Sequence, residues 1–147
     1  MNKLDGCVTS TAVDIDTIKQ QIKDNLKLGI ANLSDSPFFR EGKSIALVGG
    51  GPSLKKYIPE LQAFNGPVMA CGSVHDFLVA NNIAIEYCVL CDPDPLIIQY
   101  LQESQLGTKY LIASQCHKYV FDHIRSYITD NCYIWHAGAE NFDNAEI

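Results

Sequence analysis

A short apolar run that ends in three consecutive glycines constrains this 147-residue chain most strongly. Residues 45–48, Ile-Ala-Leu-Val, form the kind of run that is buried on both faces of a parallel sheet. The glycines that follow, 49–51, permit φ > 0 and let a ligand approach the backbone without meeting a Cβ atom. Pro52 then fits the first position of a helix, where its missing N–H is no loss. The stretch predicts a strand, a tight turn and a helix N-terminus, where free amides favour phosphate or another anion.

The loop differs from two common phosphate-binding motifs. The dinucleotide fingerprint G-x-G-x-x-G would place its third glycine at Leu54, and it expects an acidic residue near Cys71, where none stands. Gly42-Lys43-Ser44 is similar to the end of a Walker A loop, but it precedes the strand. NAD and FAD are therefore disfavoured as ligands, and a glycine turn that merely reverses the chain stays open as an alternative.

The rest of the chain repeats the unit of strand, turn and helix. Further strands are predicted at 67–71, 83–91, 110–113 and 132–136. Because successive right-handed crossovers permit little else, we predict an α/β fold, Rossmann-like and doubly wound, with a mainly parallel sheet of about five strands. Residues 1–12 are predicted to form a flexible N-terminus, and 13–147 a single domain with its sheet units at 44–147.

An extra helix is predicted ahead of the sheet, at 13–33, with Asp14 or Asp16 as its cap. We expect it to cover a sheet edge or to pair with a second subunit. Pro59 interrupts the helix after the glycine turn, so two short turns are predicted there. The apolar residues that predict the first helix recur at intervals of three and four: Ile15, Ile18, Ile22, Leu26, Ile30 and Leu33.

Candidate catalytic residues follow the predicted strands, because open α/β sheets bind ligands beyond the carboxyl ends of their strands. Asp94 before Pro95 is explained as a helix cap, which leaves Asp92 to bridge Mg²⁺ near the phosphate loop. His75 lies in the first turn of a helix beside that loop, and His117 follows the fourth strand. For His75 a role as an ordinary surface residue stays open.

Two further turns complete the predicted site. Gly72 and Ser73 follow the second strand, and Ser73 with Asp76 forms a candidate capping box. The residues predicted to surround the ligand's phosphates are Gly49, Gly50, Gly51, Pro52, Ser53, Gly72 and Ser73.

Charge and composition limit the partners of the chain. Its formal net charge is −6, and no cluster of lysine and arginine appears, which argues against nucleic acid. No signal peptide and no apolar run of about 18 residues occurs, so we predict a cytoplasmic protein without a membrane partner. The six cysteines are interpreted as small buried residues; a metal cluster around Cys88, Cys91, Cys116 and two histidines is the weaker alternative.

From about Lys23 to Trp135 the chain resembles the family of 6-hydroxymethylpterin diphosphokinase MptE-like proteins, which includes the Maf flagellin glycosyltransferases. The motif that carries the resemblance is residues 42–54, which match the family's G-x-G-P-S-L loop. It is supported by an amphipathic helix ahead of the sheet, by the Gly72-Ser73 turn and by the strand that ends at Asp92. A similar loop opens the nucleotide site of certain bacterial sialyltransferases.

The resemblance implies a transferase that binds nucleotide phosphates, with Asp92 near the metal or the nucleotide. The family continues with a further glycine-containing turn, a helix and a strand, which this chain lacks; the domain is therefore expected to be incomplete at its C-terminus. Three interpretations follow: a partial gene, a reduced homologue, or a subunit that completes its site by association, for which a homo-oligomer is expected.

Three functions are compatible with these observations. The first is an Mg²⁺-dependent transfer of a diphosphoryl group from ATP to an acceptor of the hydroxymethylpterin type. The second is a glycosyltransferase that uses a nucleotide-activated sugar, with His75 or His117 as general base. The third is a nucleotide-binding module without catalysis.

Overall fold

Six parallel strands form one sheet in the computed structural model, which describes residues 13–36, 44–103, 105–127 and 131–137. In chain order the strands are β1 (Ala31–Asn32), β2 (Ala46–Val48), β3 (Val68–Cys71), β4 (Tyr87–Leu90), β5 (Lys109–Ala113) and β6 (Cys132–Trp135). Across the sheet they follow the order β1-β6-β5-β4-β3-β2. The predicted α/β fold with a parallel sheet is confirmed, and β2 to β6 are the five predicted strands.

In the described residues one α-helix precedes the first strand, and three further α-helices and several 3₁₀ segments lie between later strands. The helices are α1 (Ile15–Asn25), α2 (Ile58–Ala63), α3 (His75–Ala80) and α4 (Lys118–Tyr127). As predicted at Pro59, the chain after the glycine turn forms two short pieces, a 3₁₀ segment at Leu54–Tyr57 and then α2. The helix that Asp94 was expected to cap is instead a 3₁₀ segment, Pro95–Tyr100. Within the described residues, no helix has the length and apolar character needed to cross a membrane.

The first helix is shorter than predicted, and its C-terminal part becomes a strand. Asp14 caps α1 as expected, because its side chain accepts a hydrogen bond from the backbone N–H of Thr17. Gly29 adopts φ of 66°, a left-handed conformation that ends the helical path, and β1 then pairs with β6 at the edge of the sheet. The prediction of a helix through residue 33 was wrong, because the spacing of apolar residues alone does not indicate that the chain turns at Gly29.

Most of the hydrophobic core lies on one face of the sheet. In-register residues form a row of buried side chains across five strands: Val48, Ala70, Cys88, Tyr110 and Cys132. Val120 and Phe121 of α4 pack into the same core and are fully buried. A buried phenylalanine side chain stabilises the folded state by about 1.5–3 kcal/mol, so this layer holds α4 on the sheet.

Strand β2 is the outer strand of the sheet and pairs only with β3 in the described part of the chain. Leu47, on the face opposite the core, is 68% exposed, whereas Val48 is buried. The prediction that both faces of this strand are buried was therefore wrong, because it applies to a central strand. The glycine turn that follows β2 is consequently the outermost of the loops at the carboxyl ends of the strands.

Candidate functional site

The carboxyl ends of the parallel strands bring most of the predicted residues to one edge of the sheet, here called the carboxyl edge. Along it lie the glycine turn after β2, Gly72 and Ser73 after β3, Asp92 after β4 and His117 after β5. Neighbouring strands are about 4.8 Å apart, so Asp92 is expected about 10 Å from the glycine turn and His117 about 14 Å.

Each residue of the glycine turn, 49–53, is exposed to solvent. Its glycines do not use the left-handed conformation, since the only described glycines with positive φ are Gly29 and Gly107. A Cβ atom at Gly49 would meet no atom of the described residues within 4 Å, and one at Gly51 would make only an ordinary contact, 3.9 Å from Ser53 Oγ. Packing against the described residues therefore does not require glycine at either position.

Gly50 differs from its two neighbours. A Cβ atom there would lie 3.2 Å from Ser73 Oγ and 3.3 Å from Val74 Cγ1. Such distances are tighter than ordinary van der Waals contact, so the turn after β3 accounts for this glycine. The close approach also brings the exposed Ser73 hydroxyl beside the glycine turn.

The helix expected directly after Pro52 begins later. Leu54 N–H donates to Gly51 O at 3.0 Å, which closes a turn, and the 3₁₀ segment Leu54–Tyr57 comes before the six-residue helix α2. A macrodipole grows with the number of aligned peptides, so this short, broken helix contributes little to anion binding. Any anion held here would rest mainly on the amides of the turn itself. Lys55 and Lys56 are exposed nearby.

Gly72 is fixed by packing within the protein. It is buried, and a Cβ atom there would lie 2.4 Å from Leu90 Cδ2 and 3.4 Å from Ile97 Cδ1. The turn after β3 is therefore pressed against β4 and the 3₁₀ segment that follows it. Gly72 is thus part of the buried layer beneath the carboxyl edge, whereas Ser73 is exposed at that edge.

The predicted capping box between Ser73 and Asp76 does not form, since no side chain of the described residues caps α3. The Asp76 carboxylate instead accepts hydrogen bonds from the backbone N–H groups of Gln102 at 2.8 Å and Glu103 at 3.2 Å. The prediction was wrong because these partners lie 26 and 27 residues away, which local spacing does not reveal.

His75 lies in the core, with 0% of its surface exposed. Its Nδ1 is 2.9 Å from Asp76 Oδ1, and its Nε2 is 2.9 Å from the Tyr110 hydroxyl. A carboxylate only accepts, so Nδ1 carries the proton and Nε2 accepts from Tyr110. Burial raises the pKa of Tyr110, which keeps that hydroxyl protonated as the donor. The structure does not bring His75 to the surface of the carboxyl edge.

Asp92 is exposed at the end of β4, and one of its oxygens is in use. Oδ1 accepts the backbone N–H of Asp94 at 2.9 Å, a turn-forming bond that the sequence did not indicate. Asp94 caps the next segment as predicted, through Leu96 N–H at 2.8 Å.

In the described part of the chain no group of three or more His, Cys, Asp or Glu residues is arranged to hold a metal ion. This contradicts the predicted alternative of a metal cluster formed by cysteines and histidines.

His117 caps helix α4. Its Nδ1 accepts the backbone N–H of Tyr119 at 3.1 Å, and the two rings stack edge to face with centroids 4.5 Å apart. Because Nδ1 accepts, the proton of the neutral ring is on Nε2. At the carboxyl edge this imidazole therefore presents a hydrogen-bond donor.

A buried asparagine fixes the turn that carries His117. Asn25 of α1 is 2% exposed, and its Nδ2 donates to Ser114 O at 2.9 Å and to Cys116 O at 2.7 Å. Gln115 Nε2 also donates to Cys91 O at 2.7 Å, which ties the loops after β5 and β4 together. Sequence analysis missed Asn25. A polar residue three positions after Ile22, on the buried side of α1, was the available signal.

His136 and Ser114 form a pair that the sequence did not indicate. His136 follows β6, and its Nδ1 lies 2.9 Å from Ser114 Oγ. Ser114 is 2% exposed, whereas His136 is exposed. The residues are 22 positions apart, so only the pairing of β5 with β6 brings them together.

The cysteines of the described residues are free thiols. Three of them are buried, Cys88, Cys116 and Cys132, and burial raises the pKa of each thiol, for Cys132 to about 12. The interpretation as small buried residues is confirmed for these three and wrong for Cys91, which is exposed. Cys7 lies outside the described residues.

These features define a class of protein: a parallel α/β domain with an open glycine turn after an early strand and polar side chains along the carboxyl edge. The sequence model of one family, described as 6-hydroxymethylpterin diphosphokinase MptE-like, matches residues 16–146, so the chain belongs to that family.

A solved structure shares the fold. The Maf glycosyltransferase from Magnetospirillum magneticum AMB-1 superposes with a TM-score of 0.61 at 15% sequence identity. The match covers 84% of this chain and 20% of the glycosyltransferase, so the chain spans about a fifth of that protein's length. No curated protein matches the chain.

Proposed function

We propose that the protein is a nucleotide-phosphate-binding transferase of the diphosphokinase type, which moves a diphosphoryl group from ATP to an acceptor of the hydroxymethylpterin class. Membership of the MptE-like family supports this reaction. The observation that carries the proposal is the glycine turn. Gly49 and Gly51 are exposed, use no left-handed φ and have room for a Cβ atom, so glycine there serves something other than the fold. Close approach of a phosphate to the backbone is such a need.

Hydrogen-bond donors near the turn suit a phosphate chain. No described residue accepts a hydrogen bond from the backbone N–H of Gly50 or Gly51. The exposed Ser73 hydroxyl stands next to Gly50, and Lys55 and Lys56 add positive charge nearby. Backbone amides, a hydroxyl and cations are together the donors that phosphate oxygens accept in nucleotide sites.

Mg²⁺ fits this edge of the sheet as a partner of the nucleotide. Magnesium binds through one or two carboxylates together with substrate phosphates, and Asp92 is an exposed carboxylate that keeps Oδ2 available while Oδ1 holds the turn. When bound there, the ion would supply charge neutralisation for the phosphoryl groups. The homo-oligomer and the cytoplasmic location stay predictions.

Ligand-dependent thermal stability tests the proposal. A ligand at 100 times its Kd stabilises the folded state by about 2.7 kcal/mol, a shift that a melting curve detects. We expect ATP to raise the Tm when Mg²⁺ is present, and Gly49→Ala to melt like the wild type alone but to lose most of the ATP-dependent shift.

Other outcomes would overturn the proposal in distinguishable ways. A shift with CMP or CTP but not with ATP would favour the glycosyltransferase. ATP binding without diphosphoryl transfer to any hydroxymethylpterin would favour the module without catalysis. An unaltered ATP shift in Gly49→Ala would show that the nucleotide binds elsewhere.

A further inference from the structure

The histidines of the chain differ in which ring nitrogen is free to accept a proton. His75 donates through Nδ1 to Asp76 and accepts from Tyr110 through Nε2, and it is buried. His123 donates through Nε2 to Leu101 O at 2.6 Å. Neither ring offers a lone pair to a ligand at the carboxyl edge.

His117 reaches the carboxyl edge in the wrong tautomer for a base. Its Nδ1 lone pair is used by the backbone N–H of Tyr119, so Nε2 carries the proton. To accept a proton at Nε2, the neutral ring would first have to move its proton to Nδ1, which would break the cap of α4. The same bond that orients His117 therefore limits it to donating.

The hydrogen-bond partner of His136, Ser114, allows the imidazole either to donate or to accept a proton at Nε2. A hydroxyl both donates and accepts, so Ser114 Oγ can accept from a protonated Nδ1 and leave the Nε2 lone pair free. When Nε2 then takes up a proton, the bond from Nδ1 to Ser114 is kept. No described residue forms a hydrogen bond with Nε2, and the residue is exposed.

The serine that holds this ring is itself fixed. Its backbone N–H donates to Trp135 O at 2.8 Å, and its carbonyl accepts from the buried Asn25 at 2.9 Å. The bond to Ser114 draws the His136 ring toward β5, one strand away from β4, where Asp92 stands. An imidazole held in this way is oriented before any ligand arrives.

We propose that His136 is the general base that takes the proton of the acceptor hydroxyl, and that the acceptor binds between Asp92 and His136. This inference rests on the proposed function. The acceptor oxygen attacks the β-phosphorus of ATP, an O–P bond forms, and the bond from that phosphorus to the α-phosphate oxygen breaks. Its electron pair leaves with AMP, and the acceptor proton passes to Nε2 of His136.

Histidine NMR on the wild-type chain with ¹⁵N-labelled imidazoles tests the assignment of the proton. We expect His75 to carry its proton on Nδ1 and His117 on Nε2. 6-Hydroxymethylpterin, added with a non-hydrolysable ATP analogue, should shift the Nε2 resonance of His136 more than any resonance of His75. A His136 ring unmoved by the acceptor would overturn the proposal.

Kinetics with variants provides the second test. His136→Gln should lower kcat for diphosphoryl transfer about 100-fold, within the usual range for loss of a general base, while the ATP-dependent Tm shift persists. Ser114→Ala, which keeps the imidazole but removes its partner, should cause a smaller loss. His123→Gln, a change on α4 that can still donate to Leu101 O, is the matched control with unchanged kcat.

The two proposals fail in different ways. A wild-type protein without an ATP-dependent shift overturns the proposed function. A normal shift together with full kcat in His136→Gln overturns only the role of His136. Melting curves of the variants without ligand show that each is folded.

Discussion

The glycine turn after β2 and the turn after β5 occupy the same edge of one sheet and are built in opposite ways. The glycine turn is exposed and stands on the outer strand, and two of its glycines have open space around them. The turn at 114–117 is fastened by a buried asparagine and by the side chain of its own Gln115, which donates to Cys91 O in the neighbouring loop. A turn whose backbone amides have no protein partner favours a ligand that accepts hydrogen bonds from them. A turn whose backbone is held by hydrogen bonds instead keeps its side chains in fixed positions for catalysis.

The largest effect is expected at the fastened turn, from Asn25→Ala. The substitution removes two hydrogen bonds and leaves the carbonyls of Ser114 and Cys116 without their donor. An unsatisfied buried group costs about 1–3 kcal/mol, so the free energy of unfolding should fall by about 2–5 kcal/mol. Urea denaturation measures this, with Gln20→Ala on the exposed side of α1 as the control, expected within about 0.5 kcal/mol of the wild type. If Asn25→Ala lowered the free energy of unfolding no more than Gln20→Ala does, the hydrogen bonds of Asn25 would not be what holds the turn at 114–117.

A pair of glycine substitutions sharpens the comparison from the open side. Gly72→Ala forces a Cβ atom to 2.4 Å from Leu90 Cδ2 in the core, and overpacking of this kind costs about 1–3 kcal/mol. Gly49→Ala meets nothing within 4 Å, so its free energy of unfolding should stay within about 0.5 kcal/mol of the wild type. Equal destabilisation by the two substitutions would show that Gly49 serves the fold after all.

The same contrast separates what the sequence predicted from what it missed. Several signals within a few residues were interpreted correctly: the break at Pro59, the caps at Asp14 and Asp94, and the glycine stop after β2. The five main strands were also predicted, since each is an apolar run bounded by turn residues.

The missed features depend on residues that are distant in the chain. Asn25 meets carbonyls 89 and 91 positions away, and His136 meets a serine 22 positions away. Strand β1 exists because β6 pairs with it, and the exposure of Leu47 follows from the place of β2 in the strand order. Neither spacing nor composition contains that information. The position of the glycine turn after β2 was therefore predictable, whereas the hydrogen-bond partners of the histidines were not.

Cys91, between the two turns, should respond modestly to the charge of its neighbour. Partial burial, and after it the negative charge of Asp92, raise the pKa of this exposed thiol above its ordinary value of 9.0. Alkylation requires the thiolate, so its rate should reach half its maximum at a pH above 9.0. Asp92→Asn removes one of the causes that raise this pKa, so the alkylation rate at pH 8 should increase.

Peptide mapping by mass spectrometry follows that reaction at Cys91. The buried Cys88, three residues earlier, is the internal control and should stay unmodified in both proteins. An identical alkylation rate of Cys91 in Asp92→Asn would mean that the Asp92 carboxylate does not raise the pKa of this thiol.

The smallest effect is expected at the N-terminus of α1, the helix that supplies Asn25. The side-chain hydrogen bond from Thr17, followed by the bond from its backbone N–H, lowers the pKa of Asp14 below the ordinary 3.8. A carboxylate whose pKa is lower in the folded state stabilises it above the unfolded-state pKa and loses that contribution as the pH falls through the folded-state pKa. Asp14→Asn keeps an acceptor for the cap and does not titrate. The Tm of the two proteins should therefore converge as the pH falls below about 4, and a constant difference down to pH 2 would show that the cap does not depend on the charge of Asp14.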